Sequence, residues 1–370
     1  MNLSTVKFID RFLGTPLILV LWLFKLFKKP SKKIEKILII MFWGIGSNIY
    51  VLPCIKALKE KYPNAEITIL APEKNKDLFY KNRNIDNKIF VDLSLFGLIK
   101  QLSQIRNKYD LVIDYEHWLN ISAIIAYTAG KRRIGFVNKL RAILYNDKIE
   151  FNKEIHSVYN NMNLLKPLGI HPEPTSEKIT VSDSDKASII TFLKKNKISE
   201  HDFIVGICPG SGPTVISRRW PKDKFASLAD NLIENHNAKI ILTGSEDERE
   251  ILLDIRNKMN HNPVIFCGAR LSNLIELINS CNLFISNDTG PMHIAATQNI
   301  KTIGLFGPET PVIFGPFGKH TLSIFKGIEC SPCIKIYKGK HIKCKDNLCM
   351  KMITVEEVMD AVESMMNLND

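Results

Sequence analysis

From Lys36 onward the chain alternates short apolar runs with polar, glycine-bearing loops and stretches of helical periodicity. Lys36 to Phe42 (KILIIMF) predicts a buried strand. The loop Trp43 to Asn48 and a helical stretch to Lys61 follow, Tyr62-Pro63-Asn64 ends that helix, and Ala65 to Leu70 predicts the next strand. Further strands are expected at Lys88 to Val91, Leu111 to Tyr115 and Arg133 to Phe136. Strand, glycine loop, helix, strand is the opening of a doubly wound parallel sheet. A helical stretch from about Ser157 stops at Gly169, and His171-Pro172-Glu173-Pro174 marks a change of domain. The alternation then repeats, with strands at Phe203 to Cys208, Lys239 to Leu242, Pro263 to Phe266, Leu283 to Ile285 and Lys301 to Phe306. At 370 residues two domains are expected. The division is 1–33 as a membrane-associated segment with its basic flank, 34–175 as the first α/β domain and 176–370 as the second.

The stretch that organises this pattern is Leu283 to Ala296 (LFISNDTGPMHIAA), read as a strand, a polar turn and a helix start at Pro291. Asp288 or Thr289 is placed to cap the free amides there, and such a terminus attracts phosphate, with His293 in the first turn. An ordinary capped helix explains the same residues equally well. An Asp-Thr-Gly triplet also occurs in aspartic proteases, but here a helix follows it and no second copy exists. The loop Gly307 to Pro311 (GPETP) closes the next strand, and polar loops at the carboxyl edge of a parallel sheet make a ligand site.

Three more loops share that edge if the sheets are parallel. Pro209 to Pro213 (PGSGP) can bring its backbone close to a phosphate. Ser217 to Pro221 (SRRWP) offers two guanidinium groups beside an indole, or simply a solvated helix entry. Glu246, after the strand ending at Leu242, is placed for a ribose hydroxyl pair, although a first-turn helix acid looks the same. In the first half, Gly44 and Gly46 lack the third glycine of the dinucleotide fingerprint, and no acidic residue ends the second strand, which excludes a nicotinamide cofactor. Asp114-Tyr115-Glu116-His117 closes a strand. Alternation puts Asp114 and Glu116 on one face and His117 on the other, as a catalytic set or as a capping cluster.

The net charge of +12 is concentrated in two places. Residues 1–36 hold eight basic side chains against two acidic ones, and residues 326–351 hold seven against two, a combined +11. The rest is nearly neutral, which excludes a broad nucleic-acid groove. Between Arg11 and Lys25 lie thirteen uncharged residues, FLGTPLILVLWLF, where a spanning helix takes about 20. With Trp22 and Phe24 near one end and KLFKKPSKK behind it, the segment is expected to be a shallow anchor on anionic headgroups. A helix buried against the body is the alternative. A signal peptide is not expected, because the basic residues follow the apolar run and no small-residue cleavage site appears. The positive flank places the body in the cytoplasm.

Four of the eight cysteines cluster as Cys330-x2-Cys333-x10-Cys344-x4-Cys349, with His341 between. One knuckle-like pair suits structural zinc, and the second pair is spaced more loosely than a zinc ribbon. A disulfide framework is disfavoured in the cytoplasm.

Taken together, GIGSNIYVLPCIKALKEKYPNAEITIL, DLVIDYEHW, KRRIGF, PGSGPTVISRRWP, ILTGSEDERE and SNDTGPMHIAA with GLFGPETP resemble glycosyltransferase family nine, the heptosyltransferases of the lipopolysaccharide core. The resemblance runs from about Lys36 to Val362. It implies a GT-B α/β architecture, two Rossmann-like domains facing a central cleft, and an inverting transfer that requires no cofactor or catalytic metal. It further implies an ADP-heptose donor and a lipid-linked or lipopolysaccharide acceptor at the cytoplasmic face of the inner membrane. Carried over to this chain, Ser211 and Gly212 meet the diphosphate, Arg219 balances its charge and Glu246 holds ribose. Asp288, Thr289, Gly290 and His293 then hold the sugar-phosphate end. Gly44, Gly46 and Ser47 form the acceptor-side loop. One position departs: the family commonly places an Asp base where this chain has Ser47, and serine has no useful basicity near neutral pH. Either Glu116 first, or Asp114 second, supplies the base, or the protein is a non-catalytic nucleotide-sugar binder at the membrane.

Overall fold

The computed structural model describes residues 10, 12, 14–24, 33–91, 103–171, 173–212, 215–335, 344 and 346–367. Several residues singled out above lie outside these: Lys25, Lys28, Lys29 and Lys32 of the basic flank, Pro172, Pro213, and Lys338, Lys340, His341 and Lys343. Packing divides the chain between Thr175 and Ser176 into two compact units.

The first unit is a parallel sheet of six strands: β1 (Lys36–Ile40), β2 (Glu66–Pro72), β3 (Asn87–Val91), β4 (Tyr109–Asp114), β5 (Gly130–Phe136) and β6 (Asp147–Ile149), in the order β3-β2-β1-β4-β5-β6. The second is built the same way from β7 (Ile204–Cys208), β8 (Lys239–Gly244), β9 (Val264–Cys267), β10 (Leu283–Asn287), β11 (Lys301–Phe306) and β12 (Thr321–Phe325), in the order β12-β11-β10-β7-β8-β9. The doubly wound expectation therefore holds in both halves.

The apolar runs are continuous rather than alternating because helices cover both faces of each sheet. Ile37, Leu38, Ile39 and Ile40 of β1 are all fully buried. In the first unit, the cluster containing Leu38, Ile40 and Val112 extends into helix Asn120–Ala129 through Ala123 and Ala126. In the second, Val205, Ile207, Leu242, Ile285 and Ile303 share a core with helices Lys222–His236, Arg249–Lys258 and Val355–Met366. Each such Leu, Ile or Val contributes about 1.5–3 kcal/mol of burial, so these runs, and not loop chemistry, hold the sheets. Strands β6 and β12 lie at sheet edges and are only partly covered, which is why no apolar run announces them.

In each sheet the strand order turns back once, between β1 and β4 in the first and between β7 and β10 in the second. Ligands of open α/β sheets collect beyond the carboxyl ends of strands at such a point. Before β1, helix Gly14–Leu23 packs on helix Asn120–Ala129 of the first unit. Among the described residues no helix is long and apolar enough to cross a membrane.

Candidate active site

In the first unit, Ile40 and Asp114 end β1 and β4 side by side. Tyr115 N–H donates to the Ile40 carbonyl at 3.0 Å, and the chain then leaves the sheet. Glu116 is therefore not on a strand face. It turns under the loop that leaves β1, where Oε1 accepts the Phe42 N–H at 2.5 Å and the Trp43 N–H at 2.7 Å. Buried Asn48 holds the other side of that loop, its Nδ2 donating to the carbonyls of Trp43 at 2.7 Å and Gly44 at 2.9 Å. A short helix, Ile45–Ile49, begins there and contains Gly46 and half-buried Ser47.

Asp114 is fully engaged. Its Oδ2 accepts from Arg141 Nη2 at 2.7 Å and from the Tyr145 hydroxyl at 2.6 Å, and its Oδ1 accepts the Glu116 N–H at 3.0 Å. Arg141, also buried, donates further to Ser122 Oγ at 2.9 Å and to the Glu116 carbonyl at 2.5 Å. Arg141 thus pairs with the Asp114 carboxylate and holds the Glu116 backbone with the same guanidinium. Burial first, and the neighbouring Asp114 charge second, push Glu116 up to about 7, against the pull of the two amides. A carboxyl poised there can accept a proton near neutral pH. Burial, followed by Arg141, pushes His117 down to about 3, and its ring packs 4.9 Å from Phe136 and 4.7 Å from Phe151. It is a neutral packing residue and cannot serve as an acid.

In the second unit the loops after β7, β8, β10 and β11, four adjacent strands, form one edge. Asn287, the buried last residue of β10, ties three segments together. Its Oδ1 accepts the Trp220 N–H at 3.1 Å, and its Nδ2 donates to the carbonyls of Pro209 at 2.7 Å and Gly210 at 3.4 Å. Trp220 is buried and its indole donates to the Ile353 carbonyl at 3.0 Å, so it anchors the two arginines and offers no ring to a ligand.

The arginines part company from there. Arg218 turns to the corner: its Nε lies 3.2 Å from Asp288 Oδ2, its Nη1 donates to the Asp288 carbonyl at 3.2 Å, and its Nη2 lies 3.9 Å from Glu309 Oε2. Arg219 turns to the glycine loop, donating to Ser211 Oγ at 3.2 Å and to the Gly212 carbonyl at 3.0 Å. Those acceptors are neutral, and among the described residues no carboxylate lies within ion-pair distance of it, so its charge is available to an anion. Glu248 braces the same loop, accepting the Gly212 N–H at 2.8 Å and, on its other oxygen, Ser245 N–H and Oγ at 3.0 Å each. A Cβ on Gly210 would sit 2.1 Å from that carboxylate, so any larger residue there displaces Glu248 from the loop it braces.

Two expectations about this edge change. Neither Asp288 nor Thr289 caps helix Gly290–Thr297: Asp288 is taken by Arg218, and Thr289, the N-cap residue, makes no side-chain cap bond. The Thr289 hydroxyl lies 3.1 Å from Ser286 Oγ and donates to the Asn287 carbonyl at 3.3 Å. The amides of the first turn, at Gly290, are thereby left without a side-chain cap, which favours an anion more than the capped form would. His293 is buried in that turn. Glu246 is exposed and gives both oxygens to Arg249, at 2.6 and 2.8 Å; the acid that reaches the glycine loop is Glu248. Of the two guanidinium groups read from SRRWP, Arg218 is thus spent on Asp288, and the roles of Asn287, Glu248, Glu309 and Arg141 carry no local sequence signal because they rest on partners elsewhere in the chain.

The cysteines are all free thiols, with Cys330 and Cys344 exposed, Cys333 partly covered and Cys349 buried. Burial first, then the neighbouring thiols of Cys344 and Cys330, raise the Cys333 pKa. Among the described residues no group of three or more His, Cys, Asp or Glu side chains is arranged to hold a metal ion.

The model of glycosyltransferase family 9 (heptosyltransferase) matches residues 96–342. Lipooligosaccharide heptosyltransferase 2 of Haemophilus ducreyi is 28% identical over 327 residues, covering 82% of this chain and 92% of that protein. Lipopolysaccharide heptosyltransferase 2 of Escherichia coli K12 is 26% identical over 300 residues, covering 75% and 84%. Among solved structures, a family 9 glycosyl transferase from Veillonella parvula superposes with a TM-score of 0.77 at 24% identity, covering 90% of this chain and 97% of that one. The E. coli ADP-heptose lps heptosyltransferase II superposes at 0.71 and 22%, covering 90% and 98%. These last two show a shared fold. All four are named as transferases, and the non-catalytic alternative finds no support among them. With two thirds of its length matched by the family model, and with both sheet edges furnished as described, the chain belongs to glycosyltransferase family 9, the heptosyltransferases, and is a glycosyltransferase.

Proposed function

We propose that this enzyme moves heptose, with inversion, from ADP-heptose to a lipopolysaccharide-core or other lipid-linked acceptor at the cytoplasmic face of the inner membrane, using no catalytic metal. The observation that carries the donor half is the second sheet's switch point, where Arg219, with no carboxylate partner among the described residues, stands on the glycine loop that Asn287 ties to the corner at 288–290. E. coli heptosyltransferase WaaC, which shares the fold at a TM-score of 0.68, has been solved with ADP.

In this reading Ser211, Gly212 and Arg219 take the diphosphate. Asp288, Thr289, the Gly290 amide and His293 hold the sugar-phosphate end. Glu246 takes the ribose hydroxyls by giving up Arg249 bonds, an exchange that costs little because that pair is exposed. Gly44, Gly46 and Ser47 shape the acceptor loop, and Glu116 replaces the missing aspartate. Its carboxylate takes the proton of the acceptor hydroxyl as that oxygen bonds to the anomeric carbon. The bond from that carbon to the diphosphate breaks, and ADP leaves with the electron pair, its charge met by Arg219 and the uncapped helix terminus.

Purified protein given ADP-heptose and core-truncated lipopolysaccharide is expected to release ADP only when both are present, and to release UDP or GDP from the corresponding sugar nucleotides far more slowly. Equal turnover of a UDP-sugar, or no acceptor-dependent release, overturns the donor assignment.

A further inference from the structure

Helix Gly14–Leu23 is fixed to the first unit along one narrow stripe. Gly14 and Ile18 are buried and Leu21 packs against the core, a spacing of four and then three that defines one helical face. Its approach is close: a Cβ on Gly14 would come within 2.8 Å of Asn120 Cβ. Asp10, just before it, caps helix Asn120–Ala129, accepting the Asn120 N–H at 2.9 Å and the Ile121 N–H at 2.8 Å. Asn120 Nδ2 returns a bond to the Asp10 carbonyl at 3.0 Å.

The opposite face is apolar and uncovered. Leu17, Leu19, Val20, Trp22 and Leu23 are 42–63% exposed, and no charged residue occurs from Phe12 to Phe24. A helix on a protein surface ordinarily turns charge outward, so this face is built for contact with something apolar. The ten described residues at about 1.5 Å each reach roughly half of a bilayer core, a length that suits lying along a surface. The sequence that follows carries five lysines and no acid over residues 25–33. An anionic bilayer satisfies both, acyl chains for the leucines and tryptophan and headgroup phosphates for the lysines.

We infer that the Leu19, Val20, Trp22 and Leu23 face is a docking surface for an anionic lipid bilayer, rigidly joined to the first unit by Ile18 and the Asp10 cap. The surface deepens the membrane part of the proposed function, but it is tested without any sugar transfer, so failure of either leaves the other standing.

The full-length protein is expected to co-sediment with vesicles of phosphatidylglycerol and phosphatidylethanolamine in equal parts. Binding weakens with added salt, is absent on pure phosphatidylcholine, and shifts Trp22 emission to the blue. Trp22→Glu with Leu23→Glu, at exposed positions where an unchanged melting curve is expected, lowers binding at least about tenfold. Unchanged binding by that variant overturns the inference. So does a wild-type protein that ignores the vesicles but sediments as a dimer which the double variant dissolves, because the face then belongs to a second copy.

Discussion

Glu116→Gln is expected to lower kcat for heptosyl transfer by about 10² to 10⁴ while leaving the affinity for ADP unchanged. Glutamine keeps an oxygen to accept the Phe42 and Trp43 amides, so the loop leaving β1 stays in place and only the proton acceptor is lost. The same residue sets a pH dependence. Burial holds the Glu116 pKa up at about 7, against an ordinary 4.5, and only the deprotonated form can act as base. Wild-type kcat therefore rises with pH and levels above about 7, and this acid limb disappears in the variant. For stability the sign is opposite. Between 4.5 and about 7 the folded protein holds a proton that the unfolded chain has released, so this residue's contribution is full below 4.5 and is lost as pH rises toward 7. A fully active variant, or one that keeps the acid limb, removes Glu116 from the chemistry.

Arg141→Met is expected to destabilise the first unit by about 3–5 kcal/mol, the usual cost of leaving one member of a buried ion pair alone. Asp114, the Tyr145 hydroxyl, Ser122 and the Glu116 carbonyl all lose their shared donor at once, in a place no water reaches. Adding Asp114→Asn removes the stranded charge and recovers a large part of the loss. Urea unfolding followed through fluorescence measures both steps, with each unit's transition fitted separately. A loss under about 1 kcal/mol for Arg141→Met means that Asp114 simply takes up its proton, and that the cluster does not fix the position of Glu116.

What could be read from the sequence follows the range of the interactions. Runs such as KILIIMF and LFIS announce strands because both faces of those strands are buried, whereas Asp147–Ile149 and Thr321–Phe325, half covered at sheet edges, carry no such signal. Gly210, Gly212 and the Asn287 to Pro291 turn are legible because glycine and proline punctuate loops by local geometry alone. Asn287 itself is not, since its partners Pro209 and Trp220 lie 78 and 67 residues away. Alternation along β4 misplaces Glu116 because the strand stops at Asp114 and the chain leaves the sheet after Tyr115. Local capping rules misjudge Asp288 because a charged partner, Arg218, outbids helix amides for a buried carboxylate. For helix Gly14–Leu23 the difficulty is different: with apolar residues all round, the pattern cannot say which stripe is inside, and the packing of Gly14 and Ile18 decides it.

The most direct measurement for the account as a whole is a crystal structure of the protein with ADP-heptose. The expected density places the diphosphate within hydrogen-bond reach of Ser211, Gly212 and Arg219, with an oxygen toward the uncapped amides at Gly290. A diphosphate bound instead on the Gly44 to Ser47 loop, or away from Arg219, contradicts it.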